Sequence, residues 1–121
     1  MLLSEGKKAG DVVRYEAPAL YSREQVTIPA GETVVIGSLL EVSGDNHVVC
    51  TTGASAAGIA LTAASPGQGE SAQVPMLRRH AVVDRAGIDF GGLDAAGITA
   101  AIAALLALGI LVRTGPTYTT L

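Results

Sequence analysis

Tryptophan is absent from this 121-residue chain, and its aromatic residues are one phenylalanine and three tyrosines. So little aromatic surface leaves almost nothing on which sugars or bases could stack. Cysteine occurs once, at Cys50, which excludes an internal disulfide and fits synthesis in a reducing compartment. Charge is scarce as well: 16% of residues are charged, against about 25% in ordinary domains. The net charge is −3 and the pI about 5.2. A protein that neutralises phosphates needs the opposite balance, so no nucleic-acid partner is expected. Long apolar runs are missing too. The best candidate, residues 98–112, is uncharged but shorter than the ~18–20 residues that span a bilayer, and Gly109 interrupts it. Burial in protein is the expected fate, with no membrane partner. The opening Met1-Leu2-Leu3-Ser4-Glu5-Gly6-Lys7-Lys8 lacks a basic region followed by an apolar stretch, so no signal peptide is expected.

What is present is apolar material, 49% of residues, in a chain long enough for a single modest core. A domain of this size cannot hide that much apolar surface from itself, so shared subunit interfaces are expected. Three zones follow along the chain. Residues 1–21 are polar and irregular, broken by Gly6, Gly10 and Pro18. They hold one strand-capable patch, Val12-Val13-Arg14-Tyr15, with no partner nearby in sequence. Because an isolated strand is unstable in water, the zone reads as a flexible arm that pairs with something else.

Residues 22–89 read as short strands separated by turns. Strands are expected near residues 25–28, 33–36, 39–42, 47–50, 58–62, 73–77 and 80–84. Pro29-Ala30-Gly31-Glu32 and Ser43-Gly44-Asp45-Asn46 carry turn chemistry between them. Such spacing suggests a small barrel or clip of strands rather than a parallel sheet. The third zone holds one helix, N-capped by Asp94 and closed by Gly109. Ile98, Ile102, Leu105 and Leu106 form its expected core stripe. Its opposite side is Ala96, Thr99, Ala100, Ala103 and Ala107, and no charge falls between Ala95 and Val112. A helix without a charged face is normally buried all round, so a subunit contact should cover this side. The alternative is that the alanines, good helix formers, simply tolerate solvent. After Gly109, Ile110-Leu111-Val112-Arg113 has strand propensity and should return to the sheet.

Catalytic and metal-binding patterns are weak. His47 and Cys50 lie near Asp45, but zinc requires three or four ligands and no others are adjacent. Gly67-Gln68-Gly69 lacks the third glycine and the strand-to-helix context of a dinucleotide loop. Asp84, Asp89 and Asp94 are evenly spaced, yet carboxylates do acid–base work only in a pocket that shifts their pKa values. Solvated turn and cap roles are expected for them. No Gly-x-Ser-x-Gly elbow occurs. No enzymatic activity, cofactor, metal or small-molecule substrate is therefore expected. Two other classes stay open: a small β-barrel module that binds a ligand or sugar, and a small hydrolase or isomerase built on Asp84, Asp89 and His80. A pocket of converging polar groups would mark the first, and those three residues gathered in one cleft the second.

Several blocks in order resemble the lambda-type phage head decoration proteins. They are Ser22-Arg23-Glu24-Gln25-Val26-Thr27-Ile28 followed by Gly31, Gly37 and Leu40, then Ala56-Ala57-Gly58-Ile59, then the run from Ala100 to Arg113. The opening Ser4-Glu5-Gly6-Lys7-Lys8-Ala9-Gly10 is similar to the start of longer family members. Each block alone is weak; their order and spacing make the match specific. The resemblance implies a mainly β, α+β chain: a β-clip-like domain at residues 22–113 with a short C-terminal helix. A flexible N-terminal arm at residues 1–21 and a tail of unassigned role at residues 114–121 would flank it. It further implies a homotrimer on the outer capsid surface of the virion, made in the bacterial host cytoplasm, that cements the major capsid protein. The arm would order on the capsid, with Val12, Val13, Arg14 and Tyr15 as the added strand. One departure is Phe90-Gly91, where many family members carry Trp-Pro before the last helix. Phe keeps an aromatic anchor, while loss of Pro loosens the approach to the helix.

Overall fold

The computed structural model describes residues 12–114. Alternation of apolar and polar side chains builds the strands. In β2 (Arg23–Pro29) Val26 and Ile28 point inward, and in β6 (Ser71–Leu77) Val74 and Met76 do the same. These two strands pair antiparallel along their whole length, from Arg23 opposite Leu77 to Pro29 opposite Ser71. β5 (Gly58–Ala60), β3 (Leu39–Ser43) and β4 (Asn46–Val49) complete a five-stranded antiparallel sheet in the order β2-β6-β5-β3-β4. Gly44, at φ 61°, makes the tight turn between β3 and β4. The sheet curls until its edge strands β2 and β4 lie side by side, within 8 Å between Cα atoms. No hydrogen-bonded ladder joins them among the described residues, so the curl is a clip and not a closed barrel. Val26, Ile28, Val34, Leu40, Ala60, Val74 and Met76 fill its interior.

A second sheet has the order β1-β7-β8, with β1 at Val13–Glu16, β7 at Ala81–Asp84 and β8 at Ile110–Arg113. β7 and β8 run parallel, a pairing that needs a crossover connection. The helix α2 (Ala95–Ala107) supplies it and lies over one face of this sheet. Ala101 and Leu105 of α2 join Val12, Ala81, Val83 and Ile110 in a core that also takes in Leu39, Ile59 and Leu77. Cys50 is buried there too, and that burial pushes its thiol up to about 12. The 3-10 turn Gly53–Ser55 presses against α2 so closely that a Cβ on Gly53 would sit 1.9 Å from the Gly97 carbonyl oxygen. Only glycine fits there.

The molecule is thus mainly β with one C-terminal helix, as its sequence pattern indicates. Both helix ends are as expected: the Asp94 carboxylate accepts from the Gly97 amide at 2.7 Å, and Gly109 adopts φ 83°. Three features differ from the sequence-based reading. Residues 33–36 form no strand; Val34 makes a single bridge to Ala64. The helix is rotated, so that Ala101 and Leu105 are fully buried, Ile98 and Ile102 are half-buried, and Leu106 is 58% exposed. Ala101 wins the central place because the helix sits close against the Gly53 turn, where a small residue fits.

The third difference concerns the arm. Val12-Val13-Arg14-Tyr15 does have a partner in its own chain: β1 pairs antiparallel with β7, with Val13 opposite Val83 and Tyr15 opposite Val82. Val12 is fully buried. A further helical turn, α1 (Ala19–Ser22), leads from β1 into β2. Residues 12–16 therefore pair within the body of their own chain, with a hydrogen-bonding partner some seventy residues downstream. Residues 1–11 and most of the proposed tail lie outside the described residues.

Candidate interaction surfaces

The exposed side of α2 is the first surface. Ala95, Ala96, Thr99, Ala103, Leu106 and Ala107 all face outward, and Ala100 is half-buried at the margin. Thr99 satisfies its hydroxyl locally by donating to the Ala95 carbonyl at 3.0 Å. The face thus presents methyl groups and one leucine, with no charge and no outward polar group demanding water. All five residues singled out on this side by periodicity (Ala96, Thr99, Ala100, Ala103 and Ala107) lie on it or at its edge. Leu106, expected in the core stripe, lies on this face instead, because adjacent leucines on an all-apolar helix give no phase signal.

The second surface is β1 and its surroundings. A bulge between Val13 and Tyr15 lets Arg14 reach across to Asp84, with Nη2 to Oδ2 at 2.5 Å. Asp84 also accepts from the Ala86 amide, capping the 3-10 turn Arg85–Gly87. It is a buried, ion-paired carboxylate rather than a solvated one, and the Arg14 hydrogen bond holds its pKa low. Glu16 is fixed at the other end of β1, accepting from Arg23 and from the Ser22 hydroxyl at 2.5 Å. The Arg23 hydrogen bond outweighs partial burial and lowers its pKa. Two ion pairs thus clasp β1 to the body. Its outward row carries Tyr15, 64% exposed.

The remaining chemistry-bearing residues are dispersed. His80, the only non-glycine with positive φ among the described residues, stacks on Tyr21 with ring centroids 5.0 Å apart. Its Nε2 lies 3.2 Å from the Tyr21 hydroxyl, while Arg79 donates to the Tyr21 carbonyl and covers its ring. Asp89 accepts from the Gly91 amide in a turn, and Asp94 caps α2. Asp84, Asp89 and His80 therefore each hold a different partner, and no cleft gathers them. His47, at the β2–β4 seam, has both ring nitrogens buried and without hydrogen-bond partners, and burial lowers its pKa. Among the described residues no group of three His, Cys, Asp or Glu is placed to hold a metal. An open depression of about 670 Å³ between residues 63–66 and 70–73 has one charged lining residue, Glu70, whose carboxylate accepts from the Gly67 amide.

What the molecule displays is an uncharged helix face and the edge of a sheet. The model of the bacteriophage lambda head decoration protein D family matches residues 2–110. The chain belongs to that family. The match spans both sheets and α2, ending at the first residue of β8. No curated protein matches the chain. As a head decoration protein it is a structural component of the phage virion, associated with the capsid. The family is one of structural phage head proteins.

Proposed function

We propose that this head decoration protein binds the outer surface of the capsid as a homotrimer and cements the major capsid protein lattice against the pressure of packaged DNA. The family match over residues 2–110 supports the capsid role. The uncovered α2 face supports self-association. A helix with no charged side is normally buried all round, and copies of the same chain are always available during assembly.

The capsid contact runs through the leading segment up to Tyr15. Residues 1–11 would order on the shell, while Val12, Val13, Arg14 and Tyr15 root that segment in the body and offer the free edge of β1 for strand addition. Main-chain pairing at a sheet edge needs little side-chain specificity. Ordering a free segment costs about 1–2 kcal/mol per residue in backbone entropy, so one such contact binds weakly. Three contacts on one trimer raise the effective concentration of the second and third, and affinity multiplies. Synthesis in the host cytoplasm is in keeping with the single reduced thiol of Cys50.

Mass measurement of the purified protein, alone and with empty heads of its phage, tests the proposal. The expected result is three times the 12.2 kDa chain mass and co-sedimentation with the heads. A monomer that ignores empty heads would end it. Removing residues 1–11 while keeping Val12 should leave the body folded and abolish binding. Ala103→Glu should lower the oligomer mass without unfolding the chain.

A further inference from the structure

α2 covers one face of the β1-β7-β8 sheet, and the opposite face carries two rows of side chains in register. Tyr15 on β1 lies opposite Val82 on β7, and Val82 opposite Leu111 on β8. None of the three joins the core clusters; Tyr15 is 64% and Leu111 40% exposed. They form an apolar stripe across all three strands. Two residues further along, Asp84 lies opposite Arg113, and Arg14 reaches Asp84 from the bulge in β1. Asp84 is already engaged by Arg14 and the Ala86 amide. Arg113 has no ion-pair partner among the described residues, and the neighbouring Arg85, exposed at the same end, makes none either; its guanidinium lies over the Phe90 ring. Arg14 and Arg113 thus flank one neutralised carboxylate, beside an apolar stripe, on a chain whose net charge is −3.

We propose that this outer sheet face is the seat of a capsid-subunit segment that presents aliphatic side chains next to carboxylates. The inference rests on the capsid-binding reading above and specifies the chemistry of the partner. Charge complementarity selects the occupant. The α2 face, with no charge at all, suits a second copy of the chain. The sheet face holds one arginine, Arg113, with no counter-charge among the described residues, which a partner carboxylate would neutralise. The apolar stripe would pack against the partner's aliphatic side chains while Arg113 donates to its carboxylate.

Leu111→Glu places a like charge for the partner in the stripe, and Arg113→Glu reverses the charge at an exposed position. Both variants are assayed in the full chain by circular dichroism, solution mass and co-sedimentation with empty heads. We expect unchanged spectra and oligomer mass, with head affinity reduced about tenfold or more in each. Arg113→Gln should also weaken the salt dependence of binding, since it removes one charge contact. Head binding by both glutamate variants equal to that of the unmodified protein would overturn the inference. A fall in oligomer mass with head binding retained would also overturn it, because the occupant would then be a second copy. Failure of the unmodified protein to bind heads overturns the capsid-binding reading itself, and this inference falls with it.

Discussion

Leu105 and Leu106 are adjacent in sequence and have opposite environments, which makes them a direct probe of how α2 is rotated. Leu105 is fully buried against Ala81, Val83 and Ile110, whereas Leu106 is 58% exposed. Truncating a fully buried leucine to alanine costs about 2.7–5 kcal/mol, the sum of lost transfer energy and the cavity left behind. For a domain of this size each kcal/mol lowers the melting temperature by about 4 °C. Leu105→Ala is therefore expected to melt roughly 12 °C below the unmodified protein, taking about 3 kcal/mol. Leu106→Ala replaces an exposed side chain with the best helix former, and its cost in a lone chain stays within about 0.5 kcal/mol. Where copies associate through this face, the Leu106→Ala loss instead grows with protein concentration, because the variant shifts an association equilibrium. Urea unfolding followed by circular dichroism at two protein concentrations a hundredfold apart separates the cases. Equal losses at both positions, independent of concentration, would refute the assigned rotation of the helix.

Acid titration tests the clasp on β1. Asp84 and Glu16 are held below their ordinary values of 3.8 and 4.5, so their stabilisation is complete above about pH 4.5 and is lost as pH falls through the lowered folded values. Asp84→Asn should flatten the acid limb of a melting-temperature profile between pH 7 and pH 2, and an unaltered limb would count against the pairing. Gly53→Ala forces a methyl into the Gly97 carbonyl and should cost about 1–3 kcal/mol in thermal unfolding, whereas Gly31→Ala meets no atom and strains only the backbone. Asp94→Ala removes the cap on the Gly97 amide and should cost about 1 kcal/mol, read as a melting shift of about 4 °C.

Local signals were readable and distant ones were not. Val26 and Ile28 announced β2 by alternation, the Gly44 turn announced the β3–β4 hairpin, and Asp94 and Gly109 marked both ends of α2. Each depends on neighbours a few residues away. The partner of Val12-Val13-Arg14-Tyr15 depends on β7, and the Arg14–Asp84 pair spans 70 positions, a relation that periodicity does not carry. The phase of α2 was hidden for another reason. A helix of alanine, isoleucine and leucine has no polar side to oppose its apolar one, so Ala101 and Leu106 exchange roles only when packing against Gly53 is seen. Thr33 to Ile36 had strand composition but lies where the chain turns towards Gly37, whose φ of 96° breaks the extension. Among the candidate surface residues, the alanine side of α2 was legible because charge is missing from it. The Tyr15–Val82–Leu111 row was not, since its members come from three separate strands.

The β1–β7 pairing also fixes an order of events during synthesis. Val12 leaves the ribosome long before Val83, so β1 must wait unpaired while the five-stranded clip is made and folds. Closing so long a loop is entropically costly and slow compared with forming the β3–β4 hairpin. The small sheet can therefore close only after most of the chain has been made, and its outward rows are complete only once β8 has docked. A chain whose translation has not passed Arg113 cannot display them in full.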